Sequence, residues 1–87
     1  MNQLNQQIRT ILKENARLSI DIDTLNDDSN LHEAGMSSHA TVNVMLALED
    51  EFDIEFPPRL LKRSNFSSIA SIQNAVNEII NDPELAK

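Results

Sequence analysis

Apolar residues recur at helical spacing in three stretches of the chain. Leu4, Ile8, Ile11 and Leu12, with polar residues between them, predict an amphipathic helix over residues 3–17. A second helix is expected from near Ser38 to about Glu51. A last one starts at Ser67 or Ser68 as N-cap and sets Ile69, Ile72, Val76, Ile79 and Ile80 on one face. Between these two, Pro57-Pro58 resets the backbone and Arg59 to Arg63 reads as a short turn of helix. The segment from Leu18 to Met36 has no sustained period. It is rich in Asp and Asn, and Ile20, Ile22, Leu25 and Leu31 are its candidates for pinning to the body. So long a connection is expected to be packed or functional. The tail over 81–87, broken by Pro83, is expected to fray. No strand-like alternation competes, so residues 1–87 read as a single all-α domain, a small four-helix bundle.

The second helix carries more apolar surface than one stripe explains. With Val44 set at zero, Thr41, Met45, Leu48 and Phe52 fall within a sector of roughly 100°, the expected core face. Val42 and Leu46 lie outside it, at about 160° and 200°, with His39, Asn43 and Asp50 just beyond. Either a neighbouring helix covers these two, or they form a docking patch with an acidic rim, the usual anatomy of a protein contact site.

Charge sharpens the second alternative. Seven basic and 14 acidic residues give a net charge of −7, and ten of the acids lie between Leu18 and Phe56, where no Lys or Arg occurs. That field repels phosphate backbones and favours basic protein partners. The chain has no Trp or Tyr for stacking on bases, so nucleic acid is an unsuitable ligand. The apolar runs are too short to span a membrane, and the N-terminus lacks a signal pattern. A soluble, monomeric, cytoplasmic protein is the expectation. With no cysteine, its own side chains offer neither disulfides nor thiolate chemistry.

The chain's only glycine, Gly35, precedes two adjacent serines. A glycine there permits positive φ or close approach to the backbone. Ser37 is a natural N-cap. Both serines could simply start a helix. Alternatively, a phosphate ester on Ser38 would sit at a helix N-terminus, where unpaired N–H groups and the dipole favour an anion. Periodicity alone does not separate the two.

The stretch "NLHEAGMSSHATVNVMLALEDEFDIEFP" resembles the heart of an acyl carrier protein. That family shows a loop ending in Gly-x-Asp-Ser-Leu, a helix continuing as Val-x-Leu/Val-x-x-x-Leu-Glu-Glu-x-Phe, and then Ile-x-Ile-Pro. Here Gly35, Ser38, Val42, Val44, Leu48, Glu49, Phe52, Ile54 and Pro57 match in order without a gap. "FSSIASIQNAVNEI" is similar to the family's final helix, so the resemblance covers essentially the whole chain. It implies an acyl-carrier-like bundle with a long loop between helices 1 and 2 and a short third helix.

The resemblance also implies a function. A phosphopantetheinyl transferase would attach 4'-phosphopantetheine from coenzyme A to Ser38, flanked by Gly35, Ser37 and His39. The group's thiol would hold an acyl or aminoacyl group as a thioester. The protein would present it, without catalysing anything, to a loading ligase and to downstream acyl-transfer enzymes. Val42, Asn43, Leu46, Asp50, Arg59 and Lys62 are the expected partner contacts. The chain departs from the family pattern at particular places. Ser37 stands for the usual Asp, His39 for the usual Leu and Asn43 for a common Glu, while the normally acidic third helix carries Arg59, Lys62 and Arg63. A partner built for the fatty-acid carrier would meet repulsion there, which points to a specialised carrier. The Gly-x-Ser-Ser variant resembles small carriers loaded by stand-alone aminoacyl ligases.

Other chemistry fits poorly. "DIDTLNDDSNLHE" opens like a calcium loop but puts Leu25 at the third ligand position, lacks the central Gly and ends in His32 where Glu is needed. His32 and His39 lack metal-ligand spacing, so no metal is expected. Ser38 and His39 are adjacent and diverge on a helix, which leaves no nucleophile–base pair and no catalytic residue. The competing expectation is an unmodified helical interaction module that binds a partner through Val42 and Leu46.

Overall fold

The computed structural model describes residues 3–16, 18 and 21–82. Three α-helices make its frame: α1 (Gln3–Asn15), α2 (Ser38–Phe52) and α3 (Ile69–Ile80). Three single-turn 3-10 segments, Ile22–Thr24, Pro58–Leu60 and Arg63–Phe66, punctuate the connections. Helix α1 packs against both α2 and α3. Ile8, Ile11 and Leu12 of α1 meet Val44 and Leu48 of α2 and Ile72, Val76 and Ile79 of α3 in one aliphatic core. The Phe56 and Phe66 rings pair in a tilted arrangement with centroids 5.4 Å apart, a favourable aromatic geometry.

The chain between Pro57 and Phe66 forms two 3-10 turns where a short third α-helix was expected. Its cause is local. Pro58 fixes the start of the first turn, and Leu61, at φ −86° and ψ 52°, leaves helical space before a second turn can stack on it. Asn65 Nδ2 then donates to the Leu60 carbonyl at 3.0 Å, which holds the two turns side by side.

One further expectation needs correction. Ile80 is exposed, and Ala75 takes its place on the buried face of α3. In α2 the fully buried line is Ala40, Val44 and Leu48; Met45 and Phe52 are half-buried and pack against that core as expected, and Thr41 is half-buried. Ile20 and the tail from Pro83 to Lys87 lie outside the described residues, as does Arg17 at the expected end of the first helix.

The long connection is packed through polar as well as apolar contacts. Ile22 and Leu31 are buried, and Leu25 packs against the core. Arg9 of α1 donates to the carbonyls of Ile22 (3.1 Å) and Leu25 (3.0 Å) and forms an ion pair with Asp27 at 2.8 Å. The buried Asn5 donates to Asp27 Oδ1 at 2.9 Å and to Gln73 Oε1 at 3.3 Å. Backbone bonds join the same loop to the start of α3, from Leu31 N–H to Ser67 O at 2.8 Å and from Ala70 N–H to Asp27 O at 2.9 Å. Several backbone groups of its described residues are thus satisfied by α1 and by the start of α3.

Candidate functional site

The site is built at the start of α2. A turn over Leu31–Ala34 closes with Gly35 N–H on His32 O at 3.2 Å and Met36 N–H on Leu31 O at 3.0 Å. Gly35 stands at φ 115°, a conformation that a side chain would oppose. Met36 is buried, which anchors the chain just before the helix. Ser37 then adopts extended geometry, and its Oγ accepts the Ala40 N–H at 3.1 Å. That bond satisfies one of the donors the first turn leaves open. Ser38 follows as the first helical residue, exposed, and its hydroxyl makes no hydrogen bond among the described residues. The two serines therefore differ in kind: one oxygen is committed to the backbone and the other faces outward.

Ser38 opens onto a cleft of about 350 Å³. Ser38, Thr41, Val42 and Met45 form one wall, at the i, i+3, i+4, i+7 spacing of a single helix face. Leu61, Lys62, Arg63 and Phe66, from the paired 3-10 turns, line the other, and His32 completes it. The ring nitrogens of His32 sit between the two walls, Nδ1 at 3.4 Å from Met36 O and Nε2 at 3.3 Å from Arg63 O. Val42 is 50% exposed although it lines the cleft. The volume lies at the lower end of what holds a small organic group.

The other candidate residues divide among three places. Leu46, 52% exposed, and Asp50 border a shallow hollow nearer the end of α2, with Asp53 and Glu55 around it. The Arg59 guanidinium is paired with Glu78 and with Asp82, the latter at 3.6 Å, both beyond the cleft. Lys62 shares the cleft with Ser38, whereas the exposed His39 and the half-buried Asn43 do not line it. The sequence assigned Thr41 and Met45 to the core face and weighed His32 only as a metal ligand, and it gave Leu61 and Phe66 no role in the site. The stripe counted from Ser38 would have found the first two.

Asp27, the acid held by Asn5 and Arg9, lies 52% exposed in the connection between α1 and α2. The hydrogen bonds from Asn5 and then from Arg9 hold its carboxyl below the ordinary carboxylate value.

The family described as a phosphopantetheine attachment site matches residues 6–79. The aminoacyl carrier protein of Agrobacterium fabrum is 43% identical over 83 residues, which are 95% of this chain and 100% of that protein. Aminoacyl carrier protein 2 of Bradyrhizobium diazoefficiens is 31% identical over 75 residues, 86% of this chain and 80% of that one. Among solved structures, a carrier protein from Agrobacterium tumefaciens superimposes with a TM-score of 0.86 at 44% identity, covering 88% of this chain and 100% of that chain. It was crystallised with an engineered Bradyrhizobium japonicum glycine:[carrier protein] ligase and ATP.

Proposed function

Because the chain belongs to the phosphopantetheine attachment-site family, whose prosthetic group is 4'-phosphopantetheine, we propose that it is an aminoacyl carrier modified on Ser38. The observation that carries this reading is the outward Ser38 hydroxyl at the first turn of α2, beside a cleft with apolar walls. Ser38 fits the group on two further counts. The helix N-terminus favours the negative charge of a phosphodiester, and Ser37 already supplies the cap, so Ser38 is free for modification. When bound, the group supplies the thiol that a cysteine-free chain lacks, and a carboxylic acid is held on it as a thioester. The chain's own residues position Ser38 and do no chemistry; it is a substrate of other enzymes.

The aminoacyl rather than fatty-acyl assignment is supported by the Agrobacterium and Bradyrhizobium relatives. The carrier crystallised with a glycine:[carrier protein] ligase points to a ligase of that kind as the loading partner. A phosphopantetheinyl transferase would act first and acyl-transfer enzymes last. Val42, Leu46 and Asp50 are the proposed docking residues on α2, with Asn43, Arg59 and Lys62 at their margins. Residues 1–87 act as one cytoplasmic domain, and no helix among the described residues is long and apolar enough to cross a membrane. The paired 3-10 turns over 58–66 are read as the counterpart of the family's short third helix.

Intact-mass measurement tests the reading. Coenzyme A and a broad-specificity transferase should add one phosphopantetheinyl group, and a glycine:[carrier protein] ligase with ATP and glycine should then add a glycyl group. No adduct under conditions that load a control carrier would leave the unmodified interaction module as the better account.

A further inference from the structure

Three cations stand on the segment between α2 and α3, and the fold treats them differently. Arg59 is paired with Glu78 and Asp82. Lys62 and Arg63 have no ion-pair partner among the described residues, yet both line the cleft that Ser38 opens onto. No described residue lining that cleft is acidic. In a chain of net charge −7, two unpartnered cations beside an apolar cleft constitute a local reversal of sign.

We propose that Lys62 and Arg63 are the counter-ions of the phosphodiester on Ser38, and that they fold the prosthetic arm back along the cleft. The inference rests on Ser38 being the attachment point. A phosphodiester there carries one negative charge, which the α2 N-terminus favours on one side. Lys62 and Arg63 meet it from the facing wall, Arg63 as a planar fork suited to phosphate oxygens and Lys62 as a compact charge. With the phosphate held between the walls, the pantetheine portion is directed over Val42, Met45, Leu61 and Phe66 rather than into solvent. Charge complementarity and the apolar lining thus select the same occupant. Lys62 and Arg63 are positioning residues for the arm and touch no reacting atom.

The test is NMR of the holo-protein after mass spectrometry has confirmed one adduct. Cross-peaks between the pantetheine geminal methyls and the Phe66 ring and Leu61 methyls are expected at low salt. They should be lost in the doubly substituted Lys62→Gln, Arg63→Gln protein, with a shift of the phosphorus resonance, and kept in Arg59→Gln. Salt should have the same effect on the unaltered holo-protein, since screening shortens from about 10 Å at 0.1 M to about 3 Å at 1 M. That series decides the matter if the double variant does not load. Cross-peaks insensitive to both salt and substitution, or absent from the wild-type holo-protein at low salt, overturn the proposal. An adduct that survives Ser38→Ala instead overturns the reading on which it rests.

Discussion

The carboxylate of Glu49 accepts the backbone N–H of Phe56 at 2.8 Å, seven residues further along the chain. An acid of α2 is thereby turned to an internal duty. It holds the extended segment after α2 so that Phe56 enters the core and pairs with Phe66. A charge-assisted bond of this kind contributes more than a neutral one, about 1.5–3 kcal/mol. Glu49→Ala should lose about that much in a denaturant melt, whereas Glu49→Gln, which keeps an acceptor, should retain most of it. Equal losses in the two variants would show that the acceptor is not what matters.

The serines offer a second comparison. Ser37→Ala removes the oxygen that accepts the Ala40 N–H and should cost about 0.5–2 kcal/mol while leaving the protein modifiable. Ser38→Ala should melt close to wild type and take no phosphopantetheine. Mass spectra of both variants beside their melts separate the roles. An adduct on Ser38→Ala, or none on Ser37→Ala, contradicts this division.

Two backbone positions should respond in opposite directions. Gly35 at φ 115° tolerates no side chain cheaply, and Gly35→Ala should cost roughly 1–2 kcal/mol. Asp53 ends α2 in the left-handed region, φ 53° and ψ 53°, with its N–H on Glu49 O. Glycine is the usual residue at such a cap, so Asp53→Gly should raise the denaturant midpoint. A lower midpoint for Asp53→Gly would mean that the aspartate side chain stabilises the cap by more than the strain it bears.

Asp27 predicts a pH dependence. Its folded-state carboxyl is held below the unfolded value of about 3.9 by Asn5 and Arg9. The stability it contributes is therefore fully present above that value and is lost as pH falls through the lower folded value. Asp27→Asn should be less stable than wild type at neutral pH, and the gap should close in acid. Melts from neutral pH down to the acid limb measure it, and a gap that stays constant or widens in acid contradicts the assignment.

Much of the frame was legible because it follows local rules. Ser37 and Ser68 cap helices at the places their sequence predicts, and Ile8, Ile11 and Leu12 fall on a 3.6-residue period. What escaped depends on residues brought together from afar. Asn5 interrupts no pattern, yet it is buried because Asp27 and Gln73 satisfy it. Arg9 reads as an ordinary solvated charge and proves to hold two loop carbonyls. That the short helical segment after Pro57 is two 3-10 turns and not one α-helix follows from Pro58 and from the backbone at Leu61, a tie between turn propensity and helix propensity that periodicity cannot break. Ser38 was legible through the family's pattern. The cleft was not, because its second wall, from Leu61 to Phe66, belongs to a later segment that only the folded chain sets opposite the first.

Leu46 tests the docking face directly. Being half exposed, it should lose within about 0.5 kcal/mol on Leu46→Gln, yet association with the loading ligase should weaken. Leu48→Ala, deep in the core, should instead cost roughly 2–5 kcal/mol. A titration of the ligase with Leu46→Gln that matches wild type would remove Leu46 from the interface.

The two walls of the cleft differ in stiffness. One is a 15-residue α-helix. The other is held by 3-10 turns of three and four residues, through Leu60 N–H to Pro57 O (2.9 Å), Leu61 N–H to Pro58 O (3.1 Å) and Asn65 N–H to Lys62 O (2.9 Å). Opening such turns exposes a few amides and leaves α1, α2 and α3 intact, so it is a sub-global event. Amide exchange should therefore be fast at Leu60, Leu61 and Asn65 and slow at Val44 and Leu48, with no shift of the global melt. A hinge that yields on one side only lets the cleft widen around an occupant at a cost well below unfolding. On the proposed reading, the prosthetic arm would then be accommodated without disturbing α2.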